Sequence, residues 1–373
     1  MIKSKYKVDI GLIISLILLA FISVITIKYA TEILPNHMNN LALKQIMWYG
    51  IGFLFIFFIM YLGNNFIIKN IWFIYFIGII SLILLLIFGK PINNAKCWFS
   101  IPGIGTIQPS EFMKIILIIV LANMIDKFRY KTPNPTIKDE FIFLLKVILI
   151  VMIPSILTFL QPDTGVVLIY LLITTIMLFI SGIRYRWFII LISIILLLIG
   201  SIITIYFIDT EIFVNVFGTD FFLRIDRLLD WSSNTGFQLE NGKSAIGSAG
   251  LFGNLKVPLY FPEAQTDFIF AVYSSTFGFI GSIILICLIT YFDLKLITTA
   301  LKNKNNINKY IISGIIGMLI YQQLQNIGMT FGLMPITGIT LPFISYGGSS
   351  LISYMIMIGI VFNISNENLR YKN

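Results

Sequence analysis

Carboxylates and lysines set into an otherwise apolar chain are the residues here that could do chemistry. Asp267 stands at the head of an apolar run, in the stretch FPEAQTDFIFA at 261–271. A carboxylate there can be partly desolvated and still reach a polar substrate. Desolvation moves its pKa toward neutrality, which suits a general base, and the same position also suits a helix N-cap. Asp163 lies in QPDTG at 161–165, where Pro162 and Gly165 make a tight turn. It can cap the helix that follows or contact a substrate. Glu111 and Lys114 are three residues apart in QPSEFMK at 108–114, and so share one helix face. An ion pair explains both.

The elements that must position these groups are set by composition. Of 373 residues, 58% are hydrophobic and 12% charged, with a mean hydropathy of +0.93. A soluble domain of this size cannot hide that much apolar surface, so the solvent is lipid. Runs of about 20 apolar residues recur without the alternation of barrel strands, which predicts an all-α polytopic membrane protein. Ten transmembrane helices are expected at 9–29, 45–63, 70–89, 110–126, 141–160, 165–182, 187–207, 268–291, 309–331 and 346–365. Lys3, Lys5 and Lys7 precede the first run as in a signal peptide. Its length and the lack of a small-residue cleavage site make it a retained helix.

The net charge of +9 does not indicate nucleic acid, because the cations sit in short loops between spans. With a cytoplasmic N-terminus, sixteen Lys and Arg fall on the cytoplasmic side and eight outside, while Lys114 and Lys146 lie inside spans. Both termini are then cytoplasmic. The longest loop, about 208–267 between helices 7 and 8, is extracytoplasmic and holds eight of the acidic residues. Its Phe221–Trp231 piece has near-helical spacing and is expected to lie in the membrane interface. No internal repeat or separable soluble domain is visible, so residues 1–373 form a single unit. Cys97 and Cys287 are far apart and no disulfide is expected; one histidine, His37, nearly excludes a His-based metal site.

Four stretches gather at the outer ends of these spans: NNAKCWFSIPGIGTIQPSEFMK at 93–114, QPDTG, GFQLENGKSAIGSAGLFGN at 236–254 with FPEAQTDFIFA, and NIGMTFGLMPITGITLPFISYGGSS at 326–350. Irregular backbone at membrane depth is tolerated where it lines protein or water, so their convergence predicts a shared cavity. In these stretches, and over nearly its full length, the chain resembles the SEDS family, the RodA, FtsW and SpoVE group. The PITG-x-T-LPFISYGGSS form looks most like RodA of low-GC Gram-positive bacteria, with the division-type paralogues very similar there.

The resemblance implies a peptidoglycan glycosyltransferase that polymerises lipid II into glycan strands and releases undecaprenyl diphosphate. It implies that Asp267 is the catalytic acid/base residue, in one inverting displacement from an α-linked donor. The candidate substrate-binding residues around it are Lys114, Glu111, Asp163, Lys96, Trp98, Arg224, Gln238, Glu263, Thr266 and Ser345. Candidate cations for the diphosphate are Lys96, Lys114, Arg224, Arg227 and Lys243; a solvated surface charge is the ordinary reading of each, and Arg224, inside an amphipathic stretch, is the best of them. Trp98 could stack on a sugar or anchor the interface. Ser345 and its neighbours belong to the scaffold first. A Mg²⁺ or Mn²⁺ held by Asp267, Glu263 and substrate oxygens is compatible with the sequence, which shows no dedicated cage.

The implied partners are lipid II, the growing strand, a class B penicillin-binding protein and the elongation or division machinery. The chain departs from the family pattern at Cys97 (usually Arg), Gln265 (commonly His), Ser275 and Thr276 (often acidic), and Asn241 and Gly242. Two other classes compete. A flippase for the lipid-linked precursor would need a polar path through both leaflets, and the cytoplasmic halves of the predicted spans are nearly charge-free. A pure scaffold leaves the cluster around Asp267 unexplained.

Overall fold

Backbone groups in lipid must bond within their own segment, so long apolar runs have to become helices. The protein is seen here as a computed structural model that describes residues 6–34, 40–89, 96–101, 105–219, 221–222, 236–254 and 260–370. In chain order the helices are α1 (Ile10–Glu32), α2 (Leu41–Leu62), α3 (Asn64–Lys69), α4 (Ile71–Phe88), α5 (Pro109–Lys131), α6 (Ile137–Leu160) and α7 (Thr164–Ile180). They continue with α8 (Tyr185–Ile208), α9 (Thr210–Phe217), α10 (Phe237–Gly247), α11 (Ile269–Lys302), α12 (Asn306–Thr330) and α13 (Gly348–Arg370). A hairpin of β1 (Phe99–Ile101) and β2 (Gly105–Ile107), with Phe99 opposite Ile107, precedes α5. The all-α reading missed this hairpin because three-residue strands leave no periodic signal.

Each of the ten expected spans coincides with a helix. Seven of them, α1, α2, α4, α6, α8, α11 and α13, are long and apolar enough to cross a membrane, and α7 is a shorter apolar helix. α5 and α12 are less apolar for a packing reason. α5 lies against α4, α7 and α12, and α12 against α5, α7 and α11. They bury Glu111, Lys114 and Asn123, and Gln322, Gln323, Gln325 and Asn326, in protein rather than lipid. At the other extreme, the most apolar stretch of α8 buries nothing. That helix is tied to the bundle at its start, where Trp187 Nε1 donates to Glu140 Oε2 at 2.8 Å.

One helix differs instructively from its expected span. The run expected to end at 291 continues to Lys302, so Asp293 is inside α11. Its carboxylate is buried and accepts from Gln323 Nε2 at 3.3 Å. The half-spans away from Asp267, which the sequence reads as nearly charge-free, therefore hold a buried carboxylate as well. The same helix breaks at Gly278 (φ 67°, ψ −165°), where a Cβ would stand 2.3 Å from the Gly253 nitrogen. Only glycine holds that conformation in that space. Of the expected interfacial piece Phe221–Trp231, everything past Phe222 lies outside the described residues. Cys97 is buried, Cys287 exposed, and both thiols are free.

Candidate functional site

The chain from the end of α12 to the start of α13 threads back into the bundle. Such a strip can be buried only if other elements satisfy its backbone. They do. Ser23 Oγ on α1 donates to the Ile344 carbonyl at 2.8 Å, Gln45 Nε2 on α2 donates to that of Ser345 at 3.3 Å, and the Tyr49 hydroxyl donates to that of Phe343. The Phe343 ring packs on Phe292 of α11 and Tyr354 of α13, each with centroids 5.3 Å apart. The strip is thereby fixed from four sides.

The turn before α11 is tied to this strip. Glu263 adopts φ 54°, and its carbonyl accepts from the nitrogens of Thr266 (3.2 Å) and Phe268 (3.1 Å). Ser345 Oγ donates to the Thr266 carbonyl at 2.6 Å, and the Tyr346 nitrogen to that of Gln265 at 2.9 Å. Asn326 Nδ2 donates to the carbonyls of both Asp267 and Ile339, each at 2.8 Å. Gln238 of α10 donates to the Pro262 carbonyl at 3.0 Å. Glu263 is exposed and accepts from Thr266 Oγ1 (2.7 Å) and Gln265 Nε2 (3.1 Å).

What this scaffold holds is the Asp267 carboxylate. It is half-buried, and no donor among the described residues reaches it. A Cβ on Gly338 (φ 71°) would lie 3.6 Å from its Oδ2, so a bare stretch of strip backbone faces it. Burial, and then the Glu263 charge, push its pKa up to about 7. The capping alternative fails here: Phe268 occupies the N-cap position of α11, and no side chain caps that helix.

Asp163 behaves oppositely. Its Oδ1 accepts from the Val166 nitrogen at 3.2 Å and so caps α7. Its Oδ2 accepts from Gln108 Nε2 (2.7 Å) and Ser110 Oγ (3.3 Å) at the start of α5. One turn further along α5, Lys114 Nζ stands 2.7 Å from Glu111 Oε2 and 5.4 Å from the Tyr354 ring centroid. Lys114 is fully buried, and its ammonium has no well-aligned hydrogen bond among the described residues.

The same strip joins the two clusters. A Cβ on Gly165 would sit 2.8 Å from the Thr337 carbonyl, so the Asp163 turn lies directly on the residue before Gly338. Thr340 Oγ1 is 3.4 Å from the Tyr354 hydroxyl, which also accepts from Gln322 Nε2 at 3.0 Å. Four of the expected residues thus gather round 337–340: Asp267 on one side, and Asp163, Glu111 and Lys114 on the other. Ser345, Thr266, Gln238 and Glu263 frame the Asp267 turn. Lys96 is exposed and Trp98 half-buried beside Cys97, whose Sγ donates to the Gln161 carbonyl at 2.7 Å. Lys243 Nζ lies against Gly332 at the end of α12. Arg224 and Arg227 lie outside the described residues.

A family model described as Cell cycle protein, spanning FtsW, RodA and SpoVE, matches residues 7–370. The chain belongs to this family. Among its FtsW/RodA/SpoVE relatives is the probable peptidoglycan glycosyltransferase FtsW of Buchnera aphidicola, 35% identical over 88% of this chain and 85% of the relative. Stage V sporulation protein E of Bacillus subtilis is 30% identical over 98% and 99%. Among solved structures, a chain of a peptidoglycan synthase complex that coordinates polymerization and crosslinking superposes with a TM-score of 0.78, at 26% identity, over 98% of this chain and 99% of that one. The rod shape determining protein RodA of Thermus thermophilus gives 0.69 at 25% identity, over 97% of both chains.

Tyr354, Gln322, Asn326 and Gln108 join the candidate site in the structure and were not singled out in the sequence. Asn326 and Gln108 open two of the quoted stretches, a signal that position alone carried. Tyr354 sits mid-helix in an apolar run and Gln322 in the polar YQQLQN of α12, and only the fold joins Gln322 to Tyr354 and Tyr354 to Lys114.

Proposed function

We propose that the chain is a peptidoglycan glycosyltransferase that polymerises lipid II into glycan strands and releases undecaprenyl diphosphate. The observation that carries this reading is the Asp267 carboxylate, half-buried, without a donor among the described residues, its pKa raised to about 7, beside the backbone of Gly338. The names of the relatives support the reaction class. Asp267 takes the proton of the attacking sugar hydroxyl. That oxygen bonds to the anomeric carbon of the donor while the bond from this carbon to the diphosphate oxygen breaks, and the electron pair leaves with the diphosphate. A single displacement turns an α-linked donor into a β-linked product. General-base help of this kind is worth about 10²–10⁴-fold.

The departing diphosphate needs positive charge. Lys114 is the buried candidate, set across the strip from Asp267, and Lys96 the exposed one. Trp98 stands next to Lys96 as a surface for a sugar ring. Among the described residues no three metal-ligating side chains gather. Glu263 and Asp267 still offer two carboxylates, the number with which Mg²⁺ or Mn²⁺ is held alongside phosphate oxygens and water, so these residues fit such an ion. When bound, it would add charge against the leaving group.

The lysine and arginine distribution supports an orientation with both termini cytoplasmic and the Asp267 end outside, in a bacterial cytoplasmic membrane. In this reading α5, α7 and α12 also cross, wrapped by the seven apolar helices. The similar chain from a peptidoglycan synthase complex supports a transpeptidase partner of the class B penicillin-binding type, in the elongation or division machinery. The relatives found by sequence bear division and sporulation names, so a division role stands level with the RodA-like one. The test is purified protein with lipid II, with and without a transpeptidase. Glycan strands and undecaprenyl diphosphate are expected. Movement of precursor across a vesicle membrane with no polymer would instead support a flippase. Co-purification in detergent tests the partner, and full activity from protein that consistently purifies alone counts against it.

A further inference from the structure

At the end of the bundle away from Asp267, α5 and α6 enclose a groove of about 360 Å³. Its polar rim is basic: Lys127 and Lys131 from the last turns of α5, and Lys146 from α6. All three are exposed, and among the described residues none of them is ion-paired. The one carboxylate lining the groove, Asp139, is occupied. Its Oδ2 accepts from the Thr136 nitrogen (2.9 Å) and Oγ1 (2.7 Å) in the capping box of α6. The wall is apolar, with Phe128 stacked on Phe143 at 4.2 Å and Met124 and Ile142 beside them.

Lys146 makes the site unusual. It lies nine residues into α6, about 14 Å along the axis, on a face where Leu145 and Leu149 are exposed to the bilayer. A cation there is expensive unless it snorkels to the interface or meets an anion. Snorkelling toward the helix start brings it to Lys127 and Lys131, where like charges repel. Arg129 and Lys138 add further positive charge at the same end of these helices. An anion among the three lysines removes both penalties, and the apolar wall gives its source.

We propose that this groove binds one anionic phospholipid, with the headgroup phosphate among Lys127, Lys131 and Lys146 and an acyl chain along Met124, Phe128 and Ile142. Free phosphate has no use for the wall. An acidic protein segment arriving from water would leave the bilayer-facing side of Lys146 uncovered. Basic pockets between helices at a membrane face suit such headgroups.

The test is binding of fluorescent phosphatidylglycerol to the full-length protein in detergent, against phosphatidylcholine with the same chains. Wild type should prefer phosphatidylglycerol, and K127Q/K131Q/K146Q should lose on the order of 100-fold of that preference, from about fivefold per lysine. K146Q alone should lose about fivefold with an unchanged melting temperature, which keeps the test decisive if the triple variant folds poorly. K302Q/K304Q/K309Q should keep the preference. Retention of it in K146Q and in the folded triple variant overturns the proposal. So does displacement of the lipid by millimolar inorganic phosphate or by an acidic peptide. Lipid binding is read without lipid II, so its failure leaves the polymerase reading untouched.

Discussion

Asp267 and Asp163 are two aspartates that each precede a helix, and their surroundings separate their work. Both oxygens of Asp163 are engaged, by Val166, Gln108 and Ser110, whereas those of Asp267 meet no donor among the described residues. From sequence alone, capping was open for both, because Asp before an apolar run reads the same in either role. What separates them is the turn at Glu263, whose positive φ leaves Phe268 rather than Asp267 at the N-cap. Asp267→Asn keeps the shape and cannot accept a proton, so lipid II consumption should fall at least about 10²-fold with melting unchanged. Asp163→Asn keeps an oxygen for Val166, and a flip of the Gln108 amide restores the other contact, so measurable activity should remain. A live Asp267→Asn beside a dead Asp163→Asn would move the chemistry to the turn at Asp163. With the Asp267 pKa raised to about 7, its basic form is the minor one below that pH. Turnover should therefore rise as pH increases through about 7, and a flat profile from pH 6 to 8 would count against the base.

Helix α5 shows how much of an element the sequence can disclose. The spacing of Glu111 and Lys114 was enough to predict their 2.7 Å ion pair, since residues three apart on a helix share a face. Its third partner, Tyr354, was not legible, because α13 reaches Lys114 only after the strip has folded back between them. The end of α11 was missed for a related reason. The polar run YFDLK reads as a loop by hydropathy, yet Gln323 on α12 gives Asp293 a partner inside the bundle. Buried partners override a local pattern. The pair on α5 makes this testable. Glu111→Leu alone strands a fully buried ammonium and should destabilise by about 3–5 kcal/mol, seen as a lower melting temperature. Adding Lys114→Met removes the stranded charge and should restore most of the loss. If the restored double variant polymerises normally, Lys114 serves the fold and the diphosphate is held elsewhere. If it melts like wild type and is inactive, Lys114 serves the substrate.

For the molecule as a whole, the distribution of charge and the position of the site make one joint claim. The re-entrant strip, the turn at Asp163 and the turn at Asp267 lie at one end of the helices, and Lys127, Lys131, Lys302, Lys304 and Lys309 lie at or near the ends opposite. This separation was legible because it needs only span order and a count of cations, and each expected span did coincide with a helix. Which end faces the cytoplasm rests on the cation excess alone, sixteen against eight. Reversing the chain would place the lysine-rich segments 127–138 and 295–309 outside and carry Asp267 inward with them. A single reporter therefore fixes both. In a Cys97→Ser, Cys287→Ser background, Lys131→Cys introduces a thiol at an exposed position at the end of α5. A membrane-impermeant maleimide should leave it unmodified in intact cells and modify it once the membrane is opened. A second thiol at exposed Lys96 should react in both conditions, showing that the reagent reaches the surface. Strong labelling of Lys131→Cys in intact cells would invert the topology and place Asp267 on the cytoplasmic side. A polymerase that builds strands outside the cell could not then work from that carboxylate.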